Sequence, residues 1–174
     1  MRSLLSLVML TPLLQGCLWQ TQPGDSCDYS GREEDQLAAV QVALQRWQMP
    51  PAVGLALLEP KGPPWVRPRP LDWDEYRMQS ENWSASAAEL ADSVDFIGWF
   101  GQRGKQRLRL DWQQVSDHYL AIRLGHGGYF RRIKGQHPQL EQQAEQAALR
   151  AEQWQARLQR CPPTVAGERW WQVW

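Results

Sequence analysis

Apolar residues recur at every third or fourth position in several parts of the chain, a spacing that predicts amphipathic helices. The first helix should begin at Ser30, which forms a capping box with Glu33, and it should end at the prolines of 49–51. The last helix should begin near Pro138 and keep apolar residues on one face for about five turns. A further helical pattern starts at Trp73.

The central part of the chain contains a second capping-box spacing. Ser86 and Glu89 stand three residues apart and predict a helix, which Gly101 and Gly104 should then end. Residues 105–124 begin with the alternation of a strand, yet five of their apolar residues share one helical face. We therefore favour a helix for this segment.

That helix would be capped by Asp111 and terminated by Gly125. The glycine-rich, basic segment 125–135 should follow as a loop or short strand. A hairpin around 94–124 is the alternative, and it would change the fold class from mostly α to α+β.

Two apolar or proline-rich segments separate the helical patterns. Residues 53–58, VGLALL, fit either a strand or a helix. Residues 60–70 contain five prolines and should form an extended connector. The patterns together predict a mostly α fold, with a single helical domain and a proline-rich connector.

The N-terminal residues have the composition of an export signal. Arg2 precedes an uncharged apolar run over 4–14, which is too short to span a bilayer but has the length of a signal-peptide core. Residues 14–17, LQGC, resemble the lipobox of bacterial lipoprotein precursors. The resemblance implies cleavage before Cys17 and attachment of lipid to its thiol. Leu18 resembles the residue found in lipoproteins that are delivered to the outer membrane, facing the periplasm.

The chain therefore divides into a signal peptide over 1–16, a tether and spacer over 17–31, and one periplasmic domain over 32–174. Removal of the signal peptide would leave 158 residues, which is enough for a domain with its own core. The mature chain would carry 18 basic and 19 acidic residues. Because it has no excess of positive charge, we exclude nucleic acid as a partner.

Two cysteines, Cys27 and Cys161, would remain for the oxidising periplasm, where a disulfide bond between them would persist. The bond would close a loop of 134 residues, and on the chain-entropy model it would contribute about 4–5 kcal/mol to stability. Two unpaired thiols are the alternative. The absence of a CxxC motif from the sequence argues against zinc and thioredoxin chemistry.

Tryptophan is unusually frequent, with 11 residues in 174. The tryptophans at helical spacing should lie in the core; they are Trp47, Trp73, Trp83, Trp112 and Trp154. Trp65 in the connector, and Trp170, Trp171 and Trp174 at the C-terminus, have no such periodicity. Since tryptophan is favoured at protein interfaces, these four are candidates for partner binding. For the terminal three, stacking on glycan and folding back onto the domain are the alternatives.

No short motif of a serine hydrolase, a zinc protease or a nucleotide-binding protein occurs in the sequence. Asp117 and His118 are adjacent, so on a helix they point in different directions and do not form an acid–base pair. We accordingly expect no catalytic residues, no metal and no cofactor.

The function predicted from these features is that of an accessory or adaptor lipoprotein without enzymatic activity, bound to a protein partner in an envelope assembly for secretion, export or sensing. The alternative is a glycan-binding module or an enzyme that acts on peptidoglycan or another polysaccharide. A glycan hydrolase built from two acids that are distant in sequence belongs to this alternative, because their separation in space cannot be read from the chain.

Mass spectrometry of the protein from its native host tests the lipid anchor. We expect a mature chain that begins at Cys17 and carries diacylglycerol on its thiol and an acyl chain on its N-terminus. Cys17→Ser should abolish lipid incorporation, because it removes the thiol. An intact leader with an unmodified Cys17 would contradict the anchor.

Overall fold

Residues 27–163 are described by the computed structural model of the protein, and they form six helices. In chain order the helices are α1 (Gly31–Trp47), α2 (Pro51–Leu57), α3 (Pro70–Gln79), α4 (Leu90–Leu108), α5 (Val115–Arg131) and α6 (Pro138–Arg160). The described residues contain no strand, which confirms the mostly α fold and makes the alternative hairpin around 94–124 wrong. None of the helices in this part of the chain has the length and hydropathy that crossing a membrane requires.

The short helix α2 lies at the centre of the fold and packs against α1, α4, α5 and α6. Every residue from Pro51 to Leu57 is buried. The VGLALL segment is therefore helical up to Leu57, because Pro51 has its φ angle preset for a helix start and the neighbouring helices cover all faces of α2. The remaining helix, α3, packs against α4.

The first and last helices begin where the sequence predicts. Ser30 Oγ accepts a hydrogen bond from the Glu33 backbone N–H, and Glu33 Oε2 accepts one from the Ser30 backbone N–H at 2.9 Å, which is the reciprocal capping box. Helix α6 begins at Pro138 and buries a stripe of small and aliphatic residues, Ala144, Ala147, Ala151 and Leu158.

Helix α4 differs from the prediction at both ends. Ser86 and Glu89 do not form a capping box, because the Asp92 carboxylate accepts the Ser86 N–H at 2.9 Å and the helix begins only at Leu90. Gly101 does not end the helix either, since α4 continues to Leu108. A Cβ atom at Gly101 would lie 2.0 Å from the ring of Trp112, so the glycine permits close packing inside a helix.

Helix α5 begins at Val115 rather than at Asp111, and Gly125 does not terminate it. Gly125 adopts φ 71° and ψ 159°, which kinks the helix, and a further helical turn follows to Arg131. The prediction of a loop or short strand over 125–135 is thus wrong for the residues of that turn. The guanidinium group of Arg69 packs against the kink and donates to the Leu124 carbonyl at 3.3 Å.

A disulfide bond joins Cys27 to Cys161, as the sequence predicts, and connects the start of the described chain to the end of α6. Polar contacts reinforce the same junction. Tyr29 donates its hydroxyl to the Cys161 carbonyl, and Arg157 pairs with Glu33 at 2.6 Å. The N-terminal end of α1 is therefore held against the last turn of α6 by covalent and polar contacts together.

The tryptophans predicted for the core are not equally buried. Trp112 is 3% exposed, whereas Trp47, Trp73 and Trp154 are partly buried and pack against the core. Trp83 is 62% exposed, so the prediction is wrong for this residue. It lies in the turn between α3 and α4, where the helical spacing that motivated the prediction does not continue.

Substitution of Gly125 tests the kink. Gly125→Ala should lower the free energy of unfolding by about 1–3 kcal/mol through backbone strain alone. The loss should be larger because the new methyl group would lie 2.8 Å from the Arg69 guanidinium. Gly135→Ala is the control, since Gly135 also has a positive φ but a Cβ there would contact nothing. Equal losses in urea unfolding would show that the contact with Arg69 has no effect.

Candidate functional site

A cavity of about 390 Å³ lies between the proline-rich connector, α5 and α6. Its walls are almost entirely polar or charged side chains. They are Glu59, Pro60, Lys61, Arg67, Tyr119, Arg123, Gln142, Gln143, Gln146 and Arg150. Among the described residues that line the cavity, Glu59 is the single carboxylate.

The connector positions Glu59 by folding back on itself. Glu59 follows the buried helix α2 and donates its backbone N–H to the Trp65 carbonyl at 2.7 Å. The Gly62 N–H donates to the Glu59 carbonyl at 3.2 Å, which closes the turn. The chain therefore returns toward α2, and Arg67 comes close to the Glu59 side chain.

Two guanidinium groups approach the same oxygen of Glu59. Arg123 Nη1 lies 3.5 Å from Glu59 Oε1, and Arg67 Nε lies 3.7 Å from it. The Glu59 side chain is 20% exposed, so it faces the cavity from a partly buried position. A third guanidinium, that of Arg150, donates to the Ala56 carbonyl at 2.8 Å. Burial lowers the pKa of Arg150, an effect that Tyr119 and Glu59 oppose.

Neutral hydrogen-bonding groups complete the cavity. Tyr119 is buried, and its hydroxyl donates to Gln143 Oε1 at 3.2 Å. Burial raises the pKa of Tyr119, and the nearby charge of Glu59 adds to this effect, so the hydroxyl stays protonated at neutral pH. Gln143 lies one turn before Gln146 and two turns before Arg150, so all three project from one face of α6. The cavity thus offers amide and hydroxyl groups beside a carboxylate.

Two other partly buried acidic side chains, Asp95 and Asp72, form hydrogen bonds or ion pairs within the fold, which indicates structural roles for them. Asp95 accepts hydrogen bonds from Trp47 Nε1 at 2.7 Å and from the Tyr76 hydroxyl at 3.0 Å. Asp72 pairs with Arg69 at 3.1 Å beside the kink of α5. Burial raises the pKa of Asp72, and the positive charge of Arg69 opposes this effect. Neither residue lines the cavity that contains Glu59.

Two buried histidines approach each other across Gly104, away from the cavity. His118 Nε2 donates to the Asp111 carbonyl at 3.0 Å, and the ring of His126 stacks on Phe100 with 3.9 Å between centroids. Burial lowers the pKa of each histidine to about 4. Asp117, which is adjacent to His118 in sequence, pairs instead with Arg132, the residue that follows α5, at 2.9 Å.

The residues singled out from the sequence that the structure describes do not line the cavity. Trp65 is half-buried in the connector, where the Arg32 guanidinium lies 4.9 Å from its ring centroid. The lipidation candidate Cys17 and the terminal tryptophans Trp170, Trp171 and Trp174 lie outside the described residues. Within 27–163, no group of three or more histidine, cysteine, aspartate or glutamate residues is placed to hold a metal ion.

Sequence reasoning missed the cavity because its charged residues lie up to 91 positions apart, from Glu59 to Arg150. The signal that was available is the position of Glu59, which ends an apolar segment that is buried on every side. A carboxylate placed by a buried helix is held more rigidly than one on an exposed loop. No short motif records this arrangement.

Comparison with known proteins identifies the kind of domain. A family model described as a Transglycosylase SLT domain matches residues 66–161, which is 96 of the 174 residues. No curated protein and no solved structure matches the chain. Seven of the cavity's ten residues lie inside the matched segment, and Glu59 lies just before it. The seven are Arg67, Tyr119, Arg123, Gln142, Gln143, Gln146 and Arg150.

The family match corrects two expectations. The prediction of a non-enzymatic adaptor is wrong, and so is the prediction that the protein is not an enzyme, because the matching family is one of transglycosylases. The alternative, action on peptidoglycan, is the one that the match supports. SLT domains act in the periplasm on peptidoglycan, so a glycan partner and a location in the cell envelope are consistent with the match.

The buried histidines predict that acid destabilises the fold. Each has a folded-state pKa of about 4, below its value of about 6.5 in the unfolded chain, so the unfolded chain takes up protons first as the pH falls. The stability that each contributes is fully present above pH 6.5 and is lost progressively toward pH 4, on the order of 3 kcal/mol per imidazole.

Urea unfolding between pH 7.5 and pH 4 measures this effect. His126→Gln should flatten the pH dependence, whereas His137→Gln, which removes an exposed imidazole, serves as the control. A His126→Gln protein with the same pH dependence as the original would contradict the assignment.

Proposed function

We propose, because this chain belongs to the Transglycosylase SLT domain family, that it cleaves the glycan strands of peptidoglycan in the periplasm. The observation that carries the proposal is the position of Glu59, a partly buried carboxylate at the wall of an open cavity of about 390 Å³. Most of that wall belongs to the matched segment.

Cleavage of a glycosidic bond requires an acid that protonates the leaving oxygen. In a transglycosylase the glycosyl group then passes to a hydroxyl acceptor, and a base must take the proton of that hydroxyl. One carboxyl group can perform both steps in turn, because it becomes a base once it has given up its proton. Glu59 is the residue that we assign to this role.

The neutral groups of the cavity suit a sugar ligand. Sugar hydroxyl and acetamido groups are hydrogen-bond donors and acceptors, and the side chains of Tyr119, Gln143 and Gln146 offer both kinds of partner. The hydrogen bond between Tyr119 and Gln143 holds these two side chains in place before a ligand binds. Such preorganisation lowers the entropy that binding costs.

The lipid anchor fits the same function. We infer that Cys17 fixes the protein to the outer membrane on the periplasmic side, as its resemblance to a lipobox implies. Cys27 lies ten positions after Cys17, so the disulfide lies at most about 36 Å from the lipidated residue. A short tether of this kind raises the effective concentration of the domain toward peptidoglycan next to the membrane.

The C-terminal tryptophans fit the function in a second way. Stacking of Trp170, Trp171 and Trp174 on glycan was an alternative to protein-partner binding, and a glycan substrate favours it. Aromatic rings offer a flat apolar face of the size of a sugar ring. We therefore assign these residues to glycan contact in place of a protein partner.

Substitution of the proposed acid tests the function. The purified lipoprotein, incubated with peptidoglycan sacculi in detergent, should release soluble glycan fragments that mass spectrometry detects. Glu59→Gln should lower the rate of release by roughly 100-fold or more, which is the usual contribution of a general acid or base. The measurement is the initial rate at equal protein concentrations.

The matched control is Glu152→Gln, which changes an exposed carboxylate on α6. This variant should release fragments at the original rate, and both variants should keep the original melting temperature. Undiminished release by the Glu59→Gln protein would contradict the role of Glu59. Failure of the original protein to release any fragment would contradict the function itself.

A further inference from the structure

We propose that the arginine cluster of the cavity, defined as Arg67, Arg123 and Arg150, binds a carboxylate group carried by the glycan strand. This inference rests on the proposed action on peptidoglycan and names the chemical feature by which the cavity selects its substrate. The site therefore requires an anionic glycan, and a neutral glycan of the same length is a poor ligand.

The charge balance of the cavity is the first observation. Lys61 and the three guanidinium groups of the arginine cluster face the cavity together with one carboxylate, that of Glu59. The described walls thus carry four positive charges and one negative charge, which leaves a net charge of about +3. Clefts lined by one sign of charge concentrate ligands of the opposite sign, so this cavity attracts anions.

The second observation is the looseness of the ion pairs. Glu59 Oε1 lies 3.5 Å from Arg123 and 3.7 Å from Arg67, whereas charge-assisted hydrogen bonds are usually about 2.7–2.9 Å long. Tighter pairs occur elsewhere in the same protein, such as Arg157 with Glu33 at 2.6 Å. The two arginines of the cavity are thus near a carboxylate without being closely bound to it, and a second carboxylate can engage them.

The third observation is the mixture of mobile and fixed cations. Arg67 has a side chain that is 56% exposed, so it can follow a ligand that enters from solvent. Arg150 is partly buried and is anchored to the Ala56 carbonyl, so its charge stays at the wall of the cavity. A guanidinium group presents paired donors that match the two oxygens of a carboxylate.

Peptidoglycan supplies such carboxylates regularly along its strands. Every second sugar is N-acetylmuramic acid, whose lactyl group ends in a carboxylate or in a peptide that has carboxylates of its own. The intervening N-acetylglucosamine is uncharged. A carboxylate on the strand would compete with Glu59 for Arg67 and Arg123, and would release Glu59 from both arginines when the strand is bound.

Binding of three glycans to the full lipoprotein in detergent micelles tests the inference by titration calorimetry. The ligands are neutral chitotetraose, peptide-free peptidoglycan tetrasaccharide with lactyl carboxylates, and the same tetrasaccharide with peptides attached. At least one anionic ligand should bind roughly tenfold more tightly than chitotetraose, and the difference should shrink as salt is added. Preference for the peptide-free form identifies the lactyl carboxylate, and preference for the peptide-bearing form identifies the peptide carboxylates.

Substitutions then connect the preference to the arginine cluster. Arg67→Gln and Arg123→Gln should each weaken binding of the preferred anionic ligand roughly tenfold and leave binding of chitotetraose unchanged. Glu59→Gln should tighten binding of the anionic ligand, because it removes the competing carboxylate. Arg160→Gln, which removes an exposed charge from the last turn of α6, is the matched control and should have no effect.

The outcomes separate this inference from the proposed function. Equal binding of all three glycans by a protein that still cleaves sacculi would overturn carboxylate recognition and leave the function intact. An equal loss of affinity in the Arg160→Gln protein would also overturn it, since net charge alone would then explain the preference. Weaker binding of the anionic glycan by the Glu59→Gln protein would contradict the competition between the Glu59 carboxylate and the carboxylate of the glycan.

Discussion

The burial of α2 is the constraint on which the rest of the structure depends. This short helix has no polar face, so α1, α4, α5 and α6 must all pack around it to remove it from water. The helix ends at Leu57, and Glu59, two residues further on, faces the cavity from a partly buried position. The Glu59 backbone is held there by its hydrogen bonds with Trp65 and Gly62.

The cavity depends on two further features that fix its other walls. The turn that joins Glu59 to Trp65 brings Arg67 back toward the end of α2, and the packing of α5 on α6 sets Tyr119 beside Gln143. At the far end of α6, the disulfide of Cys161 holds the helix against the start of α1. The site is therefore built by elements from most of the described chain, although its chemistry resides in a few side chains.

The sequence was sufficient to predict those features of the fold that local chemistry determines. The capping box of Ser30, the start of α6 at Pro138 and the disulfide of Cys161 all depend on residue types at fixed spacings or on the supply of cysteines. The predictions failed where tertiary packing decided the outcome. Gly101 stands inside a helix because the ring of Trp112 needs the space, and a single-chain pattern shows no such contact.

The function likewise depends on contacts that the sequence pattern does not show. A site that combines Glu59, Tyr119 and Arg150 leaves no short motif, since the fold alone brings these residues together. A crystal structure of the Glu59→Gln protein with a peptidoglycan tetrasaccharide tests the central claim most directly. The sugar should occupy the cavity within hydrogen-bonding distance of Tyr119 and Gln143. A tetrasaccharide bound to another surface, with the cavity free of sugar, would contradict the claim.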